Sequence, residues 1–221
     1  MQDQYSFELI SNLPFYDKLN EKEKEMLHTQ ATKVTYPKST IVYSNAHECL
    51  GVILITKGCL RTYMLSEQGR DITLFRSFSG DVCMLSASCL LKNITFDVTI
   101  EAEEDCEALL LNARMFQKLM DTNVYVENYS YKTTIDRFSD VMWTMEQILF
   151  MSFDQRLSVF LLDESVKTKS DTIKLTHAQI AKYIGSAREV VSRMLKRFEA
   201  DGLVQLTRGG IVLLDKKRLR M

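Results

Sequence analysis

The 221-residue chain reads as an α+β protein in three stretches: an N-terminal β-barrel or sandwich (1–112), a long helix (113–150), and a helix-turn-helix with a β-wing (151–221). Three observations carry this reading. Between Thr32 and Leu111 the apolar runs are short, β-branched or aromatic, and punctuated by turns. From Ala113 to Phe150 there is no glycine and no proline. Beyond Leu175, two helix starts flank Gly185, and an apolar hairpin with a basic glycine turn follows.

The elements follow in order. Residues 1–30 read as short helices, with Asn20 placed to cap one of them. Strand candidates include Leu50–Thr56, Cys59–Leu65 and Ile72–Phe75, separated by turns at Lys57-Gly58, Glu67–Gly69 and Ser79–Asp81. In the long helix Tyr131, Ile135, Phe138, Met142, Met145 and Leu149 fall at spacings of 4, 3, 4, 3 and 4. That is a heptad seam. Such a stripe lies either on its own domain's core or on a second copy. A helix of about 30 residues spans roughly 45 Å, more than one small domain needs, and this favours a two-fold dimer helix.

Net charge is −1, yet the charge is unevenly spread. Asp171–Met221 holds 11 Lys or Arg against five Asp or Glu, a charge of +6, and the remainder carries −7. A basic C-terminal module on an acidic body is the footprint of DNA binding. Within it, Thr176 with Gln179 and Ser186 with Glu189 have capping-box spacing, and Gly185 suits the turn between two helices. On the second helix Val190, Val191, Met194, Leu195 and Phe198 form a buried side, and Arg188, Glu189, Ser192, Arg193, Lys196 and Arg197 an exposed one. Arg can take guanine O6 and N7 bidentately, and Glu can accept from cytosine N4. Lys196, Arg197 and the wing residue Arg208 suit phosphates, which position without reading sequence. Thr176 and Ser186 complete the candidate DNA contacts. Glu189 has two claims on it, since a capping-box Glu bonds back to the Ser186 amide.

Other classes find little support. No apolar run reaches the roughly 18 residues of a membrane span, and the N-terminus lacks a signal core, so a cytoplasmic protein is expected. The five cysteines, Cys49, Cys59, Cys83, Cys89 and Cys106, form no CxxC pair and read as reduced thiols. A cupin-like metalloenzyme would need closely spaced His and Glu, but only His28, His47 and His177 occur, none at HxH spacing. No GxSxG, HExxH, P-loop or dinucleotide glycine set is present, so no enzyme is expected.

The order of barrel, long helix and winged helix, with Gly185, Arg188-Glu189, Ser192-Arg193 and Leu195 in the second motif, resembles the cyclic AMP receptor protein and fumarate–nitrate regulator (Crp/Fnr) family of bacterial transcription regulators. The resemblance runs from about Phe15 to Leu214, and Gly58, Gly69 and Gly80-Asp81 match its barrel turns. It implies a double-stranded β-helix (jelly-roll) effector barrel of the cyclic-nucleotide-binding type and a homodimer on double-stranded DNA. It also implies a palindrome with TGA half-site cores, in which Glu189 and Arg193 read the G·C pair. Arg188 resembles the cyclic AMP branch and Ser192 the fumarate–nitrate branch, so the outer bases stay open. Activation would require a contact with RNA polymerase, and no segment identifies one. A cyclic-nucleotide module of a kinase or channel is a rival, but it would lack the winged helix.

The departures from the family pattern concern the effector. Candidate effector residues are Gly80, Asp81, Val82, Cys83, Met84, Leu85, Cys89, Phe96 and Thr99. Cyclic AMP binders carry a glycine–glutamate turn and a later arginine for the phosphate. Here no arginine lies between Arg76 and Arg114, which argues against cyclic AMP. No cysteine precedes Cys49, so the family's N-terminal iron–sulfur cluster is not supported. The lining reads as apolar (Val82, Met84, Leu85, Leu90, Leu91, Phe96, Val98). It leaves open an apolar or weakly polar effector, haem bound through His28, His47, Cys83 or Cys89, thiol sensing by Cys83 and Cys89, and plain core filling.

Overall fold

The computed structural model describes residues 4–44, 50–67, 69, 71–86 and 97–220. The chain divides into two compact units: Met1–Leu65 with Leu74–Val141, and Ser66–Thr73 with Met142–Met221.

The first unit opens with α1 (Gln4–Ser11), a 3₁₀ turn (Tyr16–Lys18) and α2 (Glu21–Gln30). Asn20 caps α2 as expected: its side chain accepts from Glu23 N, and the Glu23 carboxylate accepts from Asn20 N. Eight strands follow among the described residues: β1 (Ala31–Tyr36), β2 (Ile41–Tyr43), β3 (Gly51–Lys57), β4 (Cys59–Leu65), β5 (Asp71–Phe78), β6 (Val82–Cys83), β7 (Thr99–Ala102) and β8 (Cys106–Asn112). They form two four-stranded sheets, ordered β1-β8-β3-β6 and β2-β7-β4-β5.

Strand β3 reads as an unbroken apolar run because both its faces are covered. Val52 and Leu54 join a core with the helices, while Ile53 and Ile55 enter the barrel interior. β6 and the residues after it split the same way: Val82 and Met84 go to the helical core, Cys83 and Leu85 to the interior. A Cβ on Gly58 would sit 2.7 Å from Asp105 O, so only glycine fits where β3 turns into β4 at φ +90°.

The expected single helix from 113 to 150 is two helices, α3 (Ala113–Thr122) and α4 (Val124–Phe150). Asn123 makes the corner. Its amide N–H donates to Leu119 O, its side-chain oxygen accepts from Tyr125 N, and its side-chain nitrogen donates to Lys18 O and Glu23 Oε2. An asparagine that offers the backbone alternative partners breaks a helix without glycine or proline. α3 buries Met115, Phe116, Leu119 and Met120 in the helical core, so it serves the barrel. All six seam residues lie on α4 and are 45–65% exposed.

In the second unit α5 (Phe153–Thr168) starts at a Ser152–Gln155 capping box, which separates it from α4. Then come β9 (Thr172–Ile173), α6 (His177–Tyr183), α7 (Arg188–Ala200), β10 (Val204–Thr207), β11 (Gly210–Leu213) and α8 (Lys216–Leu219). The wing is a three-stranded sheet ordered β10-β11-β9; its third strand was not apparent in the sequence. One core holds the unit together, with Leu157, Leu161, Ile180, Val191, Leu195 and Phe198 among its buried members. Burying a side chain such as Phe198 contributes about 2–3 kcal/mol. No described helix is long and apolar enough to cross a membrane.

Candidate nucleic-acid interface

α6 and α7 are joined by the short turn 184–187. Thr176 caps α6 in the expected box, accepting from Gln179 N at 3.2 Å while Gln179 Oε1 accepts from Thr176 N. The second expected box does not form. The N-cap of α7 is Ala187, with no side-chain cap, and Ser186 N donates to Ala181 O at 2.9 Å. With Gly185 at φ +61°, that bond closes a glycine-terminated helix end. It satisfies the Ser186 amide, and Glu189 is relieved of the capping role that the spacing suggested.

α7 is amphipathic. Val191, Leu195 and Phe198 are buried, and Val190 and Met194 are half-buried. Arg188, Glu189, Arg193, Lys196 and Arg197 are exposed, and Ser192 is half-buried. Glu189, Arg193 and Lys196 follow one another at i, i+4, i+7 and form a single stripe. Arg197 lies 3.8 Å from Asp201, an exposed pair of little energetic weight that leaves the arginine available. Thr176 is exposed near the N-terminus of α6, and Arg208 is exposed at the tip of the hairpin between Thr207 and Gly210. Arg188 reaches His177 electrostatically; burial, then Arg188, lowers the His177 pKa.

The wing is anchored to α7. Glu199 Oε1 accepts from Leu206 N at 2.8 Å, and Leu203 N donates to Phe198 O. A Cβ on Gly210 would collide with Ile173 O, so glycine is required where β11 crosses β9. Among the described residues no group of His, Cys, Asp and Glu could hold a metal ion.

The candidate effector residues lie in the first unit. Gly80 turns at φ +94°, and its N–H donates to Ile55 O. Asp81 Oδ2 accepts from Phe78 N and sits 3.7 Å from Arg137 of α4. Cys83 and Leu85 face the interior, Val82 and Met84 the other side of the strand, and Thr99 is half-buried on β7. Cys89 and Phe96, with Leu90 and Leu91, lie outside the described residues, as do Cys49 and His47. Burial pushes the Cys83 thiol up, the opposite of what a reactive thiol needs. His28 Nε2 is hydrogen-bonded to the Tyr16 hydroxyl at 2.8 Å.

Sequence reasoning missed two arginines. Arg61 on β4 is only 2% exposed, pairs across the strands with Glu101 at 3.7 Å, and stacks on Tyr63 at 4.3 Å. Arg137 of α4 lies over Phe75 at 5.1 Å and pairs with Asp140 at 2.9 Å as well as with Asp81. No local motif marks either; each is defined by strand and helix packing.

A ligand-type barrel, a long helix with an unpaired apolar stripe and a winged helix-turn-helix with a basic outer face define a DNA-binding transcription regulator. Known proteins agree. The cyclic nucleotide-binding domain model matches residues 33–123, and the Crp-like helix-turn-helix domain model matches residues 155–221. A structure described as a Crp/Fnr-family transcriptional regulator from Eubacterium rectale is 42% identical, with a TM-score of 0.86 over 94% of this chain and 96% of that one. The regulatory protein HlyX of Actinobacillus pleuropneumoniae is 26% identical over 76% of this chain and 71% of its own. The cAMP-activated global transcriptional regulator Vfr of Pseudomonas aeruginosa is 24% identical over 86% of this chain and 91% of its own. The chain belongs to the Crp/Fnr family.

Proposed function

We propose that the protein acts as a homodimer on a palindrome with TGA-core half-sites, under the control of a small effector other than cyclic AMP held in the barrel. The observation that carries the DNA reading is the outward stripe Glu189–Arg193–Lys196, free of capping duty and flanked by Arg188, Ser192 and Arg197. Glu189 and Arg193 read bases, while Lys196, Arg197, Arg208, Thr176 and Ser186 hold phosphates. Two such helices on one palindrome sit about 34 Å apart, one turn of DNA.

The exposed seam from Tyr131 to Leu149 supports the homodimer, because an uncovered apolar stripe of this length is satisfied by a second copy of itself. Against cyclic AMP stands the second barrel turn, which lacks the arginine that would pair with a phosphate. The protein carries out no catalysis and works in the cytoplasm. RNA polymerase is its further partner wherever it activates.

Fluorescence anisotropy of the effector-free protein on a palindromic TGA duplex, alongside Arg193→Ala, tests this reading. Specific binding that weakens by about 1–3 kcal/mol in Arg193→Ala is expected. Equal binding to scrambled DNA, or no effect of Arg193→Ala, would overturn the assignment of α7 as the base reader.

A further inference from the structure

We propose that the barrel takes an uncharged small molecule with an apolar body and a hydrogen-bond-accepting oxygen, held by the Thr62 and Ser77 hydroxyls and the Arg137 Nε–H. This deepens the effector reading above and rests on it.

Among the described residues of this unit, three shielded polar atoms have no hydrogen-bond partner: Thr62 Oγ1, Ser77 Oγ and Arg137 Nε. Thr62 and Ser77 are both 0% exposed. Leaving such a group unsatisfied forfeits the hydrogen bonds it makes with water in the unfolded chain, so native proteins keep few of them. Thr62 on β4 and Ser77 on β5 belong to one sheet, and Arg137 reaches that sheet from α4 over the Phe75 ring. Thr62 stands opposite Ile100 and two residues from Leu60, and both neighbours belong to the interior core. Ser77 is two residues beyond Phe75, which belongs to the same core and carries the Arg137 guanidinium on its ring. Alternation along a strand puts residues two apart on the same face.

The charge balance selects the ligand class. Arg137 faces two carboxylates, Asp140 at 2.9 Å and Asp81 at 3.7 Å. One guanidinium between two aspartates leaves no spare positive charge for a phosphate or a carboxylate. A buried anion here would meet repulsion on top of its desolvation cost. Two hydroxyls and one N–H instead suit a carbonyl, amide or ether oxygen, and Leu60, Leu85 and Ile100 supply apolar walls. Arg137 directly precedes Phe138 of the exposed seam, so an oxygen bound at Nε links the barrel wall to the helix that carries the seam.

The test uses the full chain and matched fragments: acetophenone and cyclohexanone, the anions benzoate and cyclohexanecarboxylate, and toluene. Binding is followed by ligand-observed NMR titration, and DNA binding by anisotropy on the same samples. The neutral carbonyls are expected to bind saturably and about tenfold more tightly than the anions. The double variant Thr62→Val/Ser77→Ala is expected to lose about tenfold for the carbonyls and little for toluene. Each single variant without ligand should melt no lower than the parent, because it deletes an unpaired hydroxyl. The proposal is overturned by anions binding as tightly as carbonyls, by carbonyl binding that ignores the double variant, by no carbonyl binding at all, or by single variants that melt clearly lower. Specific DNA binding that persists in any of these cases confines the failure to the ligand class. Absence of specific DNA binding in the parent would instead sink the regulator reading.

Discussion

Residue by residue, the two capping-box spacings behave differently, and the difference is measurable. Thr176 is a working cap, whereas Ser186 offers only its amide, to Ala181 O. Thr176→Ala should cost about 1 kcal/mol of the winged unit's stability, and Ser186→Ala less than about 0.5 kcal/mol, in urea titrations followed by circular dichroism. The same residues show where a sequence stops being legible. Both boxes have the right letters, but Gly185 in the left-handed region carries the chain into a closing bond that takes the Ser186 amide first. Competition for one donor is a three-dimensional event and leaves no trace in the spacing. Histidines add a pH dependence. Burial lowers the pKa of His28, and burial together with Arg188 lowers that of His177, so the unfolded chain takes up these protons first. Stability is therefore fully present above the ordinary histidine value and is lost as pH falls through it toward the folded values. The urea midpoint should drop on acidification from about pH 7.5 to 5.5, and His177→Asn should flatten part of that drop.

Among the elements, α4 was legible in its stripe and not in its start. The 4, 3, 4, 3, 4 spacing marked six residues that are all exposed on one helix. The break at Asn123 was not visible, because its cause is a set of bonds to Lys18 and Glu23, about a hundred positions away in the chain. β3 was legible as a strand because both faces are apolar, yet the split of Val82 and Met84 from Cys83 and Leu85 needed the strand's pairing partners. If the stripe joins two copies, a charge at its middle is intolerable. Phe138→Asp should convert the protein from dimer to monomer in light scattering after gel filtration, with little change in the far-ultraviolet circular dichroism of the subunit. A variant that stays dimeric would place the interface elsewhere.

At the scale of the whole molecule, architecture and family were readable from the order of hydrophobic periods and from the α6–α7 segment. Arg61 and Arg137 were hidden because their partners, Glu101 and Asp81, lie 40 or more positions away. The charge split matters at this scale too. If the +6 segment is the part that meets DNA, as proposed, the −7 remainder opposes loose attachment to arbitrary sequence. Affinity for a TGA duplex should fall steeply with salt, at a slope of about −0.9 per neutralised phosphate in a double-logarithmic plot. Arg208→Ala should make that slope shallower by about 1 for the phosphate it no longer neutralises, and weaken all sequences alike. Arg193→Ala should instead weaken the specific duplex selectively.

The bond from Glu199 to the Leu206 amide has a consequence for how this regulator could change its targets over time. It ties α7 to the strand that leads into the hairpin tip, and if α7 reads bases as proposed, the two act as one caliper whose jaw width the protein sets. An operator in which the core and the flanking backbone are displaced by a base pair would then be met only by breaking that bond. On that reading, new targets would arise by exchanging the letters on the helix face, with the gap between core and flank kept constant from one promoter to the next.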